Sequence, residues 1–389
     1  MIMLAYFCMA SIYFLVFAIA GKIWLKKRKN KRASTPSVNQ NTFTLFVAAY
    51  KNDIILETAK NLLKLDYPKE LFEIHILGDH LSESCIALLK ELPIHLHVFN
   101  LKESTKAKSL QLGIQKANRL NDYIVILDID NHVSSSFLRE MNQWIVKGSS
   151  IYQSIRSPFP QKGEVALLDS VSDSIDHTIF RAGQNALHLS STLAGSGIVF
   201  SKDVYLDYIP QLKAIGGFDK ELELMLSKNH LFVHYVPEAK IYDEKVSQHN
   251  NFYSQRRRWL SAQLYYAKKG VLDGLKSILS FNINYINKVF HLFILPRLLH
   301  VFFILALSVL YLLLKNSTLS IIYLALAAIS VLGLVIAIPR AYLSLKLFYS
   351  LTTLPLFILN YLKVITRLKG ANSHFIHTKH FKQKKKQEL

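Results

Sequence analysis

Apolar and polar positions along the chain change rhythm three times. Residues 4–20 form a continuous apolar run, extended by Gly21, Ile23, Trp24 and Leu25 around the single Lys22. At a rise of about 1.5 Å per residue, this predicts a helix long enough to cross a bilayer. A cleaved leader carries its positive charge before the apolar core. Here the charge follows it, which predicts an uncleaved anchor whose C-terminal flank lies in the cytoplasm. A polar stretch, 30–41, reads as linker.

From Thr42 the period shortens. FTLFVAAY (43–50), FEIHILGD (72–79), IHLHVFNL (94–101) and YIVILDID (123–130) predict strands, and the segments near 54–65, 82–92, 106–120 and 135–146 have helical spacing. Strands alternating with helices predict an α/β domain whose mostly parallel sheet is covered by helices. IYQSIRS (151–157) and LAGSGIVF (193–200) predict later strands, separated by a helical stretch near 165–181. VHYVPEAKIYDEK (233–245) predicts a last extended unit before a helix starting near Tyr253.

Past Gly270 the third rhythm begins. Residues 278–293 are amphipathic and aromatic, which suits a helix lying in a membrane interface. Pro296 and Arg297 then precede an apolar run, 298–314, and a second run, 319–338, follows after a short link. The pair predicts a transmembrane hairpin. Residues 351–365 are apolar but short, and Pro355, Asn360 and Lys363 interrupt them, which predicts an interfacial or re-entrant segment. The expected organisation is an anchor (1–25), a basic linker (26–41), an α/β domain (42–270), an interfacial helix region (271–297), a hairpin (298–338) and an interfacial segment with a basic tail (339–389).

Composition agrees with a mixed object. At 51% hydrophobic residues and a mean hydropathy of +0.20, the chain is too apolar for an ordinary soluble enzyme and too charged for a pure membrane bundle. Lysine and arginine outnumber aspartate and glutamate by 47 to 27. Much of the excess lies in KKRKNKR (26–32) and KQKKK (382–386), beside apolar segments, where it suits anchoring on anionic membrane lipid. No aromatic-basic stripe accompanies the charge, so no nucleic acid is expected as a partner. Lys288 and Arg297 before the hairpin, and Arg340 and Lys346 after it, put both hairpin ends on the side of the α/β domain. The two cysteines, Cys8 and Cys85, make no disulfide framework.

Candidate chemistry starts at the end of YIVILDID. Open α/β sheets bind ligands beyond the carboxyl ends of their strands, and Asp128 and Asp130 stand there. Side chains at i and i+2 of an extended segment point the same way, so both carboxylates can converge on one divalent cation of the Mg²⁺ or Mn²⁺ kind. A second reading of the pair is as caps of the next helix. Other strands end in Tyr50, Lys51, Asn52 and Asp53, in Asp79, and just before Lys106. In such a crevice an acidic group can accept from a base or a ribose hydroxyl, and a lysine can neutralise a diphosphate.

Further along stand AGSG (194–197), Asp219, Glu221 and Glu223 after Gly216-Gly217-Phe218, and QRRRW (255–259). In this order they resemble the membrane-integrated family 2 glycosyltransferases, the group of the cellulose and hyaluronan synthases. The resemblance covers 42–261, and FIHTKH (375–380) looks like the closing segment of bacterial members. It implies a GT-A-type domain that binds a nucleoside-diphosphate sugar, a UDP-sugar in most members, with Mg²⁺ or Mn²⁺. Carried over residue by residue, Ala49, Tyr50 and Asp79 would hold the nucleoside, Lys106 the nucleotide side, and Asp128 and Asp130 the sugar and the metal. Gly195, Ser196, Gly197, Gln255, Arg258 and Trp259 would serve acceptor and diphosphate. The sequence departs from the family pattern at Lys51-Asn52, where Asn-Glu is usual, at Ala48, where proline is usual, and at Lys220-Glu221, which aligns with a Glu-Asp pair. That alignment makes Glu221 the expected base. Arg256 and Arg257 read as surface or lipid-facing charge.

The implied activity is an inverting transfer from a nucleotide-sugar donor to a growing polysaccharide or a lipid-linked acceptor. The implied location is the inner membrane, multi-pass, with the catalytic domain in the cytoplasm, beside other polysaccharide-assembly proteins. The competing reading is a non-catalytic, nucleotide-binding membrane subunit of a polysaccharide assembly complex.

Overall fold

The computed structural model describes residues 1–31, 40–146, 148–158, 164–243 and 249–366. Residues 32–39 of the expected basic linker, and the tail that carries FIHTKH and KQKKK, lie outside the described residues, while 26–31 belong to the first helix.

The chain opens with a 30-residue helix, α1 (Ile2–Lys31). Three βα units and a fourth strand follow: β1 (Phe43–Tyr50) with α2 (Ile55–Leu62), β2 (Phe72–Asp79) with α3 (Glu83–Lys90), β3 (His95–Phe99) with α4 (Lys106–Lys116), and β4 (Tyr123–Asp128). A short β5 (Asn131–Val133) separates β4 from α5 (Phe137–Trp144). Next come β6 (Ile151–Pro158), α6 (Glu164–Asp176) with a π-helical continuation over His177–Gly183, α7 (Gln184–Ala186), β7 (Ile198–Ser201) and α8 (Lys202–Tyr208). The domain closes with α9 (Phe218–Lys228), β8 (Val233–Asp243) and α10 (His249–Leu279). α11 (Ile283–Phe293), α12 (Arg297–Leu313), α13 (Ser317–Ala337), α14 (Leu345–Ser350) and α15 (Leu354–Thr366) complete the described chain.

The eight strands form one sheet in the order β3-β2-β1-β4-β7-β6-β8-β5. β3, β2, β1 and β4 pair in parallel, as alternation with helices requires. The other half is mixed: β7 runs antiparallel between β4 and β6, β6 is parallel to β8, and β5 is antiparallel to β8. The expected mostly parallel sheet is therefore a mixed one. Helices still separate most strands beyond Asp128, but β7 and β5 enter the sheet reversed, so alternation alone does not set strand direction there. LAGSGIVF is strand only from Ile198; its first residues are a turn.

β1 and β4 are buried along both faces and their apolar runs carry the two core layers, one under α2 and α5, the other under α4 and α9. Each fully buried Phe or Leu contributes about 1.5–3 kcal/mol, so the sheet is a stiff platform for whatever its strand ends carry.

α1 packs on α13 and on the π-helical segment. At that crossing a Cβ on Gly183 would lie 2.3 Å from the Phe17 carbonyl oxygen, so only glycine permits the approach. Among the described residues, three helical stretches are long and apolar enough to cross a membrane: Ile2–Lys29, Ser317–Ala337 and Leu345–Thr366, the last made of α14 and α15 joined by a 3₁₀ turn. The segment expected to be interfacial thus belongs to a helical stretch of spanning length. Conversely, Arg297–Leu313 passes that test only together with Ile283–Phe293, across a 70° bend. The change of composition at Gly270 falls inside α10, which runs unbroken from the domain to α11.

Candidate active site

The carboxyl ends of β1, β2 and β4 open into a cavity of about 1180 Å³. β4 is apolar up to Leu127, and its polar end places Asp128 and Asp130 on the cavity wall. Lys106, at the start of α4, forms an ion pair with Asp128 and donates to the Gly195 carbonyl at 2.8 Å. Burial opposes ionisation of Asp128, but Lys106, Arg156 and Arg258 outweigh it and hold its carboxyl below the usual carboxylate range. Arg258 is itself destabilised by burial and supported by Asp128, Asp219 and Asp130, so these four charges share one region.

Behind Asp128 lies a polar network that keeps β4 and its neighbours in place. The Asp128 N–H donates to Asn131 Oδ1 at 2.9 Å and to Ser196 Oγ at 3.0 Å. Asn131 Nδ2 donates to Asp243 Oδ1 at 2.9 Å. Arg156 pairs with Asp243 and donates through Nη1 to the Ala194 carbonyl at 2.7 Å. Ser196 is fully buried in this network and Gly197 packs against Ser154, so of the three expected at the acceptor side only Gly195 lines the cavity.

Ala49, Tyr50 and Asp79, expected to hold a nucleoside, line the same cavity. Asp79 Oδ1 accepts from the Leu101 N–H at 3.0 Å and lies 2.6 Å from His80 Nδ1. Its Oδ2 is buried without a hydrogen-bond partner among the described residues. A buried carboxylate oxygen left in that state is costly unless something donates to it, and the cavity is where a donor would come from.

The opposite wall is α9 and α10. Asp219 and Glu223 are four residues apart and share one face of α9; Glu221, two residues from each, points elsewhere. Asp219 lines the cavity beside Gly195, where an added Cβ would lie 4.0 Å from Asp219 Cγ. Glu223 also reaches the wall, where its carboxylate accepts from the Leu193 N–H, and burial pushes its pKa up against the pull of Lys288 and Lys220. Glu221 is not among the lining residues. Its Oε2 accepts from the Lys213 N–H at 2.9 Å and its Oε1 lies 3.3 Å from Lys269 Nζ, on the far side of the helix. The residue expected as base is therefore turned away from the crevice, because α9 begins at Phe218 and sets the helical phase.

Gln255, Arg258 and Trp259 of α10 all face the cavity. Arg256, expected at the surface, donates to Asp169 Oδ1 at 2.5 Å and lies 4.8 Å over the Trp259 ring. Asp169, Asp173 and Asp176 follow one face of α6 and line the cavity, with Arg297 paired to Asp176 at 2.9 Å. Sequence reading did not single out these aspartates, although their i, i+4, i+7 spacing in a helical stretch was a signal. Beyond them the wall turns apolar: Phe302, Leu334, Val335, Leu347 and Phe357, from α12 to α15, continue the same cavity. Asp128 and Asp130 offer an all-oxygen donor set, with Asp128 held ionised, and this fits a hard cation such as Mg²⁺ or Mn²⁺.

Comparison with known proteins gives the chemistry a family. The model described as "Glycosyltransferase like family 2" matches residues 40–262, more than half of the chain. No curated protein sequence matches. Among solved structures, the mannosyltransferase PcManGT from Pyrobaculum calidifontis, in complex with GDP-Man and Mn²⁺, is 12% identical with a TM-score of 0.49 over 91% of this chain and 99% of its own. GalNAc-T7 with UDP, GalNAc and Mn²⁺ is 16% identical at 0.42 over 54% and 44%. S. aureus TarS 1-349 in complex with UDP-GlcNAc is 15% identical at 0.39 over 74% and 90%.

Proposed function

The chain belongs to the glycosyltransferase-like family 2, and from that premise we propose that it moves a sugar from a nucleoside-diphosphate sugar to a lipid-linked acceptor, with inversion at the anomeric carbon. The observation that carries this reading is the continuity of one cavity, from Asp128 and Asp130 to an apolar groove between helices of membrane-spanning character. A polar donor and an acceptor with a long apolar part would meet where Asp219, Arg258 and Gly195 stand.

In this reading Asp79 accepts an N–H of the base through Oδ2, and Tyr50 and Ala49 flank the nucleoside. A UDP-sugar fits these contacts, since uracil carries an N–H that such a carboxylate can take. Asp128 and Asp130 would hold the Mg²⁺ or Mn²⁺. When bound, the cation neutralises the diphosphate and favours its departure. Lys106 and Arg258 stabilise the same negative charge with fixed positive groups. Asp219 takes the proton of the acceptor hydroxyl as its oxygen forms a bond to the anomeric carbon. The bond from that carbon to the diphosphate oxygen breaks with its electron pair, and nucleoside diphosphate leaves. Trp259 and Gln255 shape the acceptor end, and the apolar groove holds the lipid chain at the membrane. The α/β domain faces the cytoplasm, where nucleotide sugars are made.

The test is transfer of label from a panel of radiolabelled UDP- and GDP-sugars by the purified chain in lipid vesicles. Label that enters the organic phase supports a lipid-linked acceptor; label in a long water-soluble polymer replaces that acceptor with a polysaccharide. Tight donor binding with neither transfer nor hydrolysis would make the chain a non-catalytic subunit, a reading that Lys220 in place of the family's acidic residue favours.

A further inference from the structure

The far end of the sheet carries a second group of ligand-type side chains. On β2, Glu73 and His75 are two residues apart and share a face; on the neighbouring edge strand β3, His95 and His97 do the same. The parallel register puts His75 directly beside His95. Their rings stack with centroids 4.5 Å apart at 24°. One ligand atom from each of Glu73, His75 and His95 lies within 4.8 Å of the other two.

We propose that Glu73, His75 and His95 bind a divalent transition metal of the zinc type, separate from the cation at the strand ends. The donor set is two imidazoles and one carboxylate, which suits such an ion and leaves a fourth position for water. His75 Nε2 already faces Glu73 Oε2 at 3.3 Å. Ligation through Nε2 requires the His75 proton on Nδ1, and there His97 Nε2 accepts it at 3.0 Å, as the outer partner of a metal-bound histidine does. His95 is exposed on the edge strand and gives the ion a way in.

The site is four residues before Asp79 on β2, about 13 Å along the strand. The ion would tie the edge strand β3 to β2. Both strands lead to the nucleoside side of the cavity, β2 through Asp79 and β3 through Leu101, whose N–H donates to Asp79. The ion would stabilise the fold by its binding free energy and take no part in transfer.

The test is calorimetric titration of Zn²⁺ into metal-stripped full-length protein, purified in detergent with a histidine-free tag and carrying Asp130→Asn to weaken the strand-end site. One equivalent should bind and raise the melting temperature. His95→Gln, at an exposed position that leaves the fold intact, should weaken binding more than about 100-fold, and His97→Ala should cost about 10- to 100-fold. In the otherwise unchanged chain, His95→Gln should leave Mn²⁺-supported transfer as it was. Absence of stoichiometric binding, or a loss of less than tenfold in His95→Gln, would overturn the site.

Discussion

The two walls of the cavity are built differently. One wall is the parallel half of the sheet, where Tyr50, Asp79 and Asp128 end adjacent strands and face the crevice because strand ends of a parallel sheet share one edge. The other wall is helical, from α6, α9 and α10, and there the cavity-facing residue is decided by helical phase. A one-position error in where a strand ends still leaves its last residues at the crevice, as Ala49 and Tyr50, or Asp128 to Asp130, all line it. An error of two positions on α9 exchanges a residue on the cavity for one bonded to Lys213 on the other side.

The sheet wall should give the largest losses. Removing divalent cations with EDTA, or Asp130→Asn, should lower transfer about 10³-fold, since the cation supplies several kcal/mol at the leaving diphosphate; activity should return on adding Mn²⁺ to wild type only. Lys106→Met should lower kcat by about 10²- to 10³-fold, because a fixed positive group at developing charge is lost. Arg156 lines the wall but is held by its ion pair to Asp243, so Arg156→Met should report chiefly as stability. It leaves the buried Asp243 carboxylate without its ionic partner, with only Asn131 still donating to it, at a cost of about 3–5 kcal/mol in denaturant unfolding. Smallest is Glu221→Gln: transfer should stay within about threefold of wild type, with stability falling by about 1 kcal/mol as its bond to Lys213 weakens.

The sheet wall was legible in the sequence because short apolar runs buried on both faces that stop at polar residues define both a strand and its end. FTLFVAAY and FEIHILGD coincide with β1 and β2, residue for residue. The network of Asn131, Ser196, Arg156 and Asp243 was not legible, since it joins β5, β6, β8 and a turn that meet only through the mixed half of the sheet. Helix orientation on the other wall was half legible. The spacing of Asp219, Glu221 and Glu223 showed that they could not all face one way, but which face is inward depends on how α9 packs against α10 and α11. Arg256 was misjudged for the same reason: an arginine beside apolar helices looks lipid-facing until Asp169 is placed opposite it. Among the apolar helices, composition located the runs. It did not show that Leu345–Thr366 reaches spanning length, because Pro355 and Asn360 interrupt the apolar pattern while α14 and α15 continue through a 3₁₀ turn.

The helical wall is tested most directly by comparing Asp219→Asn with Glu221→Gln in single-turnover transfer at saturating donor, alongside the donor affinity of each. Asp219→Asn should lose about 10²- to 10⁴-fold in rate with donor binding nearly intact, and Glu221→Gln should stay close to wild type. A dead Glu221→Gln beside an active Asp219→Asn would contradict the assignment of the base and the packing of α9 on which it rests.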